Sequence, residues 1–484
     1  MKMKRTVLSI AFLAAILTVR AQSETVVTFD EALRMTMERN PTIQAINYSE
    51  RAAEMERKAA IGLRMPKITV AGNYTHLGSD MNISLNDAKS SLVDDVTGLL
   101  TQLGGSGAVP PAILGPISSA LSSIGGMDWT MTLQQKDLAF IGGSVVLPVF
   151  MGGKINAANK AAKIQQQTTS VQGDSQRSAL VSELVTRYYG LALAMQVEQV
   201  RQQVVDGVKV HLEDARALEK SGMISKGEVL YAEYKMSEAE RELSAAKLQV
   251  RTLREALANT LNHSGEIVPV SAMFVVEDIE DVDYYKSMAE KHNPILGQVS
   301  LKKDLAKQNV KVHLSEFLPQ IVAMGGGTFY NYQVSDLIPR WAVGVGVSLT
   351  IFDGTSREFK YSSAKNTVRQ VEAIETKARN EIGVLIDNLY NQLTDYKNQI
   401  PSIEASMAFA DEYLRIQNAS FKEGMVSSSS VIDAELNFAK VRVERMQAAF
   451  NYDVALARLL EAAGISDSFS AYASGASSKQ IRYE

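Results

Sequence analysis

The sequence predicts a membrane α+β chain of two structural repeats. Each repeat supplies two strands to a β-barrel and two long antiparallel helices to a coiled-coil barrel. Three observations predict it: the chain is duplicated, its strand segments alternate strictly, and its helical segments keep a three-and-four apolar spacing over lengths no compact domain uses.

Duplication comes first because it sets the element order. Asn40-Pro41 reappears as Asn293-Pro294, and at the same offset Asp30, Pro66 and Ile68 match Asp283, Pro319 and Ile321. Farther on, Phe150-Met-Gly152 matches Phe352-Asp-Gly354, and Gly222-Met-Ile-Ser225 matches Gly424-Met-Val-Ser427, at a shorter offset. The first copy therefore holds an insertion, at about 78–128. The expected organisation is a signal peptide at 1–21, a first repeat at 22–264, a connector at 265–282, a second repeat at 283–464 and a tail at 465–484.

The N-terminus reads as a targeting segment. Lys2, Lys4 and Arg5 precede an apolar run from Val7 to Val19, too short to span a bilayer, and Val19-Arg20-Ala21 offers a cleavage site before Gln22. Cysteine is absent, which excludes disulfide scaffolds, thiolate metal sites and lipid attachment at the cleavage site. A net charge of −4 argues against a nucleic-acid partner, and a mean hydropathy of −0.06 is too polar for a helical polytopic membrane protein.

Within each copy a short amphipathic helix is expected from an Asp N-cap, Asp30 or Asp283. Pro41 or Pro294 opens a second helix at its first position, running to Leu63 or Phe317, and Pro66 or Pro319 stops it. Two strands follow. In the second copy Trp341, Val343, Val345, Val347, Leu349 and Ile351 point one way, and Ala342, Gly344, Gly346, Ser348 and Thr350 the other. In the first copy Ile141, Gly143, Val145, Leu147 and Val149 oppose Gly142, Ser144 and Val146. In a soluble sandwich the apolar face would be core; in a membrane barrel it faces lipid and the small face lines a lumen. Trp341 to Phe352 spans about 25 Å of height at 45° tilt, the height of an outer-membrane apolar band.

The long helices favour the barrel. Lys154–Lys220 and Thr355–Lys422 read as single helices, and Ser225–Asn262 and Ser427–Gly464 return from them. In the second copy apolar or small residues recur from Val371 through Ile382, Leu385, Leu389 and Leu393 to Leu414, always three or four apart. Such a helix is about 100 Å long, a length suited to crossing a periplasm. Pro401 lies inside it and predicts a bend or bulge.

Closure then forces association. Four strands make a ribbon about 19 Å wide, and its open edges would leave backbone groups unpaired in lipid. Two chains would give eight strands and a barrel filled by side chains; three would give twelve and an aqueous lumen. The lumen-facing glycines and serines favour three or more.

This order of helix, strand, strand, long helix, glycine turn and helix resembles the TolC family of outer-membrane efflux proteins. Asn-Pro, Pro66/Pro319, Phe-x-Gly and Gly-x-x-Ser occur in both copies, and the likeness covers roughly Thr25 to Gly464. The resemblance implies a homotrimer in the cell outer membrane of a Gram-negative cell, with a helical tunnel in the periplasm. It implies a passive exit duct of a tripartite efflux or type I secretion system, partnered by a periplasmic adaptor (membrane fusion protein) and an inner-membrane pump of RND or ABC type. The connector and the tail would correspond to the family's equatorial girdle. The alternative function is a non-transporting periplasmic or surface coiled-coil protein.

No catalytic constellation is legible, so no enzyme is expected. His76, His211, His263, His292 and His313 are scattered without HExxH spacing, and the methionines do not cluster; no metal or cofactor is expected. Gly152-Gly153-Lys154 falls short of a phosphate loop because position 148 is Pro. The tips carry the candidate function. Gly222 and Gly424 end the long helices, and with Ser225 and Ser427 they mark where an adaptor would dock. The family carries acidic residues six and nine positions after the second glycine. Position nine here is Asp433, a match; position six is Ser430, a departure; the first copy has Glu228 and Tyr231 there. Three Asp433 carboxylates on one axis would make a cation-concentrating pore constriction. In the insertion, Asn86 to Leu103 reads as an amphipathic helix, while Val109-Pro-Pro111 and Gly115-Pro116 break the chain. It is expected outside the cell, packed on its neighbours or lying over the pore as a lid.

Overall fold

The computed structural model describes residues 25–106 and 110–481; the signal-peptide prediction and Val109 lie outside the described residues. The chain divides into two compact units. One runs to Lys58 and takes in Lys160–Gln308 and the chain from Ser363; the other is Ala59–Asn159 with Asn309–Ser362.

In chain order the first half gives β1 (Thr25–Val27), α1 (Phe29–Arg39), α2 (Pro41–Ile61), β2 (Lys67–His76), β3 (Met81–Ser84), α3 (Asn86–Gly105), α4 (Pro111–Gly125), β4 (Thr130–Gln134), β5 (Asp137–Met151), α5 (Lys154–Lys220) and α6 (Lys226–Thr260). The second gives β6 (Ile267–Pro269), β7 (Met273–Val276), α7 (Val282–His292), α8 (Pro294–Ser315), β8 (Gln320–Tyr332), β9 (Trp341–Ser348), α9 (Ser356–Lys422), α10 (Ser428–Ala463), α11 (Phe469–Ser474) and β10 (Ser478–Ile481). No helix among the described residues is long and apolar enough to cross a membrane.

The short helices start two residues earlier than their aspartates suggest. Thr28 caps α1 through a reciprocal box with Glu31, and Asp281 caps α7 by accepting from the Tyr284 N–H at 2.9 Å. Asp30 and Asp283 are instead first-turn acids, placed against the positive helix end. The Asn-Pro pairs explain themselves in the same way. Asn40 Oδ1 accepts from the Thr42 N–H and Asn293 Oδ1 from the Ile295 N–H, both at 2.8 Å. Each amide also donates to a carbonyl at the end of a returning helix: Asn40 to Thr260 and Asn293 to Ala462. One side chain thus caps two helix ends and leaves proline the position that needs no N–H. Beside them Gly464 has φ +76°, and a Cβ there would lie 2.4 Å from the His292 carbonyl carbon.

The first unit's core is aromatic and aliphatic. Phe29, Tyr188, Tyr189, Phe274 and Phe469 are buried in one cluster with ring centroids 5.1–6.4 Å apart. The Tyr188 hydroxyl donates to Val27 O and accepts from the Val270 and Ser271 N–H groups, tying β1 and the β6–β7 turn to α5. β1 pairs in parallel with β6, and β10 antiparallel with β7, so the connector is hydrogen-bonded to segments near both chain ends. Both 67-residue helices are continuous. Pro401 does not interrupt α9, and its ring is exposed. Along α9 the buried side chains include Ile382, Ile386, Leu389, Leu393, Ile400 and Ala410, with the expected Leu385 exposed.

In the second unit β2, β5, β8 and β9 form one antiparallel sheet in the order β2-β5-β8-β9. β9 ends at Ser348, three residues short of the predicted strand, so Leu349 and Ile351 lie past the ladder. Its last partner is Gln320, and the preceding Pro319 has no N–H to offer. The Thr350 and Ile351 carbonyls accept instead from the buried Arg357 guanidinium, at 2.7 and 3.0 Å. Gly152 (φ +60°) passes so close to α8 that a Cβ would lie 2.5 Å from Ser315 O, which accounts for a glycine there without a phosphate. In the insertion the 115–116 Gly-Pro does not break the chain: Pro116 sits inside α4. α3 and α4 form a helical hairpin on the two-stranded β3·β4 stalk.

Candidate functional site

Two features are built for function, a sheet in one unit and the helix tips in the other.

Antiparallel partners share a face, so the register sorts the sheet's side chains. One face carries Ile68, Val145, Val343, Leu147, Val345, Phe150, Ile321 and Val347, together with Val70 and Trp341. The other carries Thr69, Ser144, Gly326, Ala342, Gly344, Gly346 and Ser348, interspersed with Val146, Val322 and Met324. A bulge between Pro148 and Phe150 takes Val149 out of the alternation and turns Phe150 to the apolar side; the strand bends where Pro148 cannot donate. Among the described residues nothing covers the β9 part of the apolar face: Trp341, Val343, Val345 and Val347 are 67–75% exposed. β2 and β9 are the outermost strands, and each has one edge without a partner among the described residues. A soluble domain hides such a face and blunts such edges. This sheet does neither.

At the tips the two turns are built alike. The Met223 N–H donates to Leu218 O and the Met425 N–H to Ser420 O, each closing a six-residue turn around a glycine of φ +75° or +71°. Met223 and Met425 are exposed at the turns. The following caps differ. Ser427 accepts from the Ser430 N–H at 3.3 Å, and its Oγ lies 3.0 Å from the Ser430 hydroxyl. Ser225 starts α6 without a side-chain cap, and its carbonyl accepts from the Glu228 N–H. Ser430 is therefore occupied in the helix cap.

Asp433 is exposed on α10 and accepts a 2.6 Å hydrogen bond from the Tyr231 hydroxyl on α6. Partial burial and this carboxylate push the Tyr231 phenol up. Glu228, one turn earlier on α6, is half-buried, with Oε2 unpartnered among the described residues. The structure thus brings Asp433 together with Tyr231 rather than with Glu228 or Ser430.

Sequence reasoning missed Glu435. It faces α5 at Gly207, where a Cβ would lie 1.8 Å from the Glu435 Oε1. Burial pushes this carboxyl up to about 7. The signal was present in the sequence: a carboxylate between Ile432 and Leu436 on an otherwise apolar helix face, opposite a glycine in a helix interior. Among the described residues no cluster of His, Asp and Glu could hold a metal ion.

Comparison with known proteins fits this geometry. A family described as outer membrane efflux protein matches residues 130–263 and 286–465, well over half of the chain. No curated protein matches. Among solved structures, the Campylobacter jejuni CmeC outer membrane channel is 14% identical at a TM-score of 0.68, covering 92% of this chain and 89% of that one. The Vibrio cholerae outer membrane protein VceC is 15% identical at 0.67, with 90% and 96% covered. The Neisseria gonorrhoeae MtrE outer membrane channel, in its open state, is 14% identical at 0.67, with 90% and 89% covered. At such identities the likeness is one of fold.

Proposed function

This chain belongs to the outer membrane efflux protein family, and from that premise we propose that three copies close a twelve-stranded barrel in the outer membrane and act as the passive exit duct of an efflux or secretion machine. The observation that carries the proposal is the sheet: four strands, two open edges and one largely exposed apolar face. Unpaired backbone in lipid costs several kcal/mol per group, so the edges must be satisfied by other copies. Three copies bring the strand number to twelve, which leaves a water-filled lumen lined by Thr69, Ser144, Gly344, Gly346 and Ser348. Lipid covers Trp341, Val343, Val345 and Val347, with Leu349 and Ile351 at the lower margin. The duplicated offsets and the matched Asn40 and Asn293 caps support two structural repeats per chain.

On this reading the two turns at Gly222–Ser225 and Gly424–Ser427 face the periplasm and receive an adaptor, and Asp433 contributes one carboxylate per chain to the entrance. An inner-membrane pump supplies the energy on this reading. The test is reconstitution of the unheated oligomer into planar bilayers. Discrete, ohmic conductance steps are expected; an intact oligomer that conducts nothing overturns the duct.

A further inference from the structure

The α3–α4 hairpin is a built element for which the duct has no use. Gly125 sits against Val93 and Gly104 against Leu114. Its base is locked by Lys89, whose buried ammonium donates to the Gly125 carbonyl at 2.9 Å and to the Met127 carbonyl. Asn86 adds hydrogen bonds to Asp128 and to the Trp129 N–H. The stalk is clamped to the β8–β9 loop by Gln134, which donates to Gln333 O and accepts from the Ser335 N–H at 2.8 Å.

The hairpin has two unlike faces. At 100° per residue, Leu92 and Leu99 of α3 fall on the same side of the antiparallel pair as Ile113 and Ile117 of α4. These four are 41–56% exposed although the helices already pack on each other. The opposite side carries Ser90, Asp94, Thr97 and Thr101 of α3 with Ser118 and Ser122 of α4. α4 holds no charged residue, and Asp95 borders the apolar side on α3.

We propose that the apolar face is covered by the same face of the hairpins on the two neighbouring copies, so that three hairpins pack into a cap over the outer mouth. The proposal rests on the trimeric reading above. Continuity with that interface argues for it: β2 is an open edge strand, and β3 begins five residues after its last residue, His76. The hairpin therefore rises at the seam where the next copy's edge strand must pair. Charge argues against the lipid surface. Residues 86–125 hold three acids, Asp87, Asp94 and Asp95, and one cation, Lys89, already committed to carbonyls. Helices that lie on membranes carry Lys and Arg on the polar face.

The chain has no cysteine, so single-cysteine variants report without background. Under mild oxidation of whole cells, Ile117→Cys should give disulfide-linked dimers, at most one per trimer because three thiols pair only two at a time. Ser122→Cys, on the polar face, should not cross-link and should react with a membrane-impermeant maleimide. Heat-modifiable migration of the same samples reports the trimer separately. If trimers are intact and Ile117→Cys neither cross-links nor resists the maleimide, the face is open to water and the cap is wrong. If it resists the maleimide without cross-linking and is quenched by lipid-borne spin labels, the face lies on lipid and the cap is equally wrong. Leu99→Asp with Ile117→Asp should keep the trimer and raise single-channel conductance about twofold as the mouth opens; unchanged conductance in intact trimers also overturns it. Absence of a trimer in the unmodified chain overturns the reading on which the cap rests.

Discussion

Glu435 shows what a single buried carboxyl does to an assembly's pH response. Its folded pKa, about 7, lies above the unfolded value of about 4.3, so the folded state binds the extra proton. Stability is unaffected by this group below the unfolded value and falls as pH rises from there through about 7. The full shift corresponds to about 3.5 kcal/mol, and screening by water makes the loss smaller. Thermal unfolding followed between pH 4.5 and 8 should show it, and Glu435→Gln should make the profile shallower, leaving the contribution of the fully buried Asp453, whose carboxyl burial also pushes up. Gly207→Ala should make it shallower too, because the new Cβ displaces the carboxyl toward water. A pH slope unchanged in both variants would mean the carboxyl is already solvated. Asp433 offers a second residue-scale test, because its charge and its hydrogen bond can be removed separately. Asp433→Asn should weaken both the cation preference of the channel and its block by multivalent cations from the periplasmic side. Tyr231→Phe removes only the bond and should leave the preference in place. If Tyr231→Phe abolishes selectivity as fully as Asp433→Asn, positioning rather than charge is decisive. Asp433 was readable only through a family likeness. Tyr231 was readable as its counterpart in the first copy, but the contact between them was not, because duplication matches positions without saying that they touch.

At the scale of elements, periodicity carried most of the information. Both long helices fall within a residue of their predicted spans, because a three-and-four spacing sustained over many turns has no strand counterpart. What failed were ends and exceptions. Thr28 and Asp281 outcompete the nearby aspartates as caps because each precedes the helix in extended conformation. β9 stops early because Pro319 and Arg357 remove its ladder, which alternation cannot reveal. The second hairpin helix was hidden by Pro116, tolerated inside α4. The bulge at Val149 shifts the apolar sequence by one residue, and it is the place where register matters most. Val347→Arg on the apolar face should cost about 2–4 kcal/mol in the barrel and block insertion, while Ser348→Arg should insert and lower conductance. Outer-membrane fractions and bilayer currents separate the two. The reversed pair of phenotypes would mean that the small face, not the apolar one, meets lipid.

At the scale of the whole molecule, the chain presents a ladder that it does not close among the described residues. Composition, alternation and helix length pointed to a membrane-spanning assembly, and the sheet order places β2 and β9 outermost, where the proposed barrel would add other copies. The number of copies was not legible in the residues, since strand count and lumen width are properties of the closed ring. The most direct test is the native mass of the protein extracted from outer membranes in mild detergent. Three times the mass of one processed chain is predicted, with no smaller species until the sample is heated. A mass of one or two chains, from material that is folded and membrane-derived, would contradict the account.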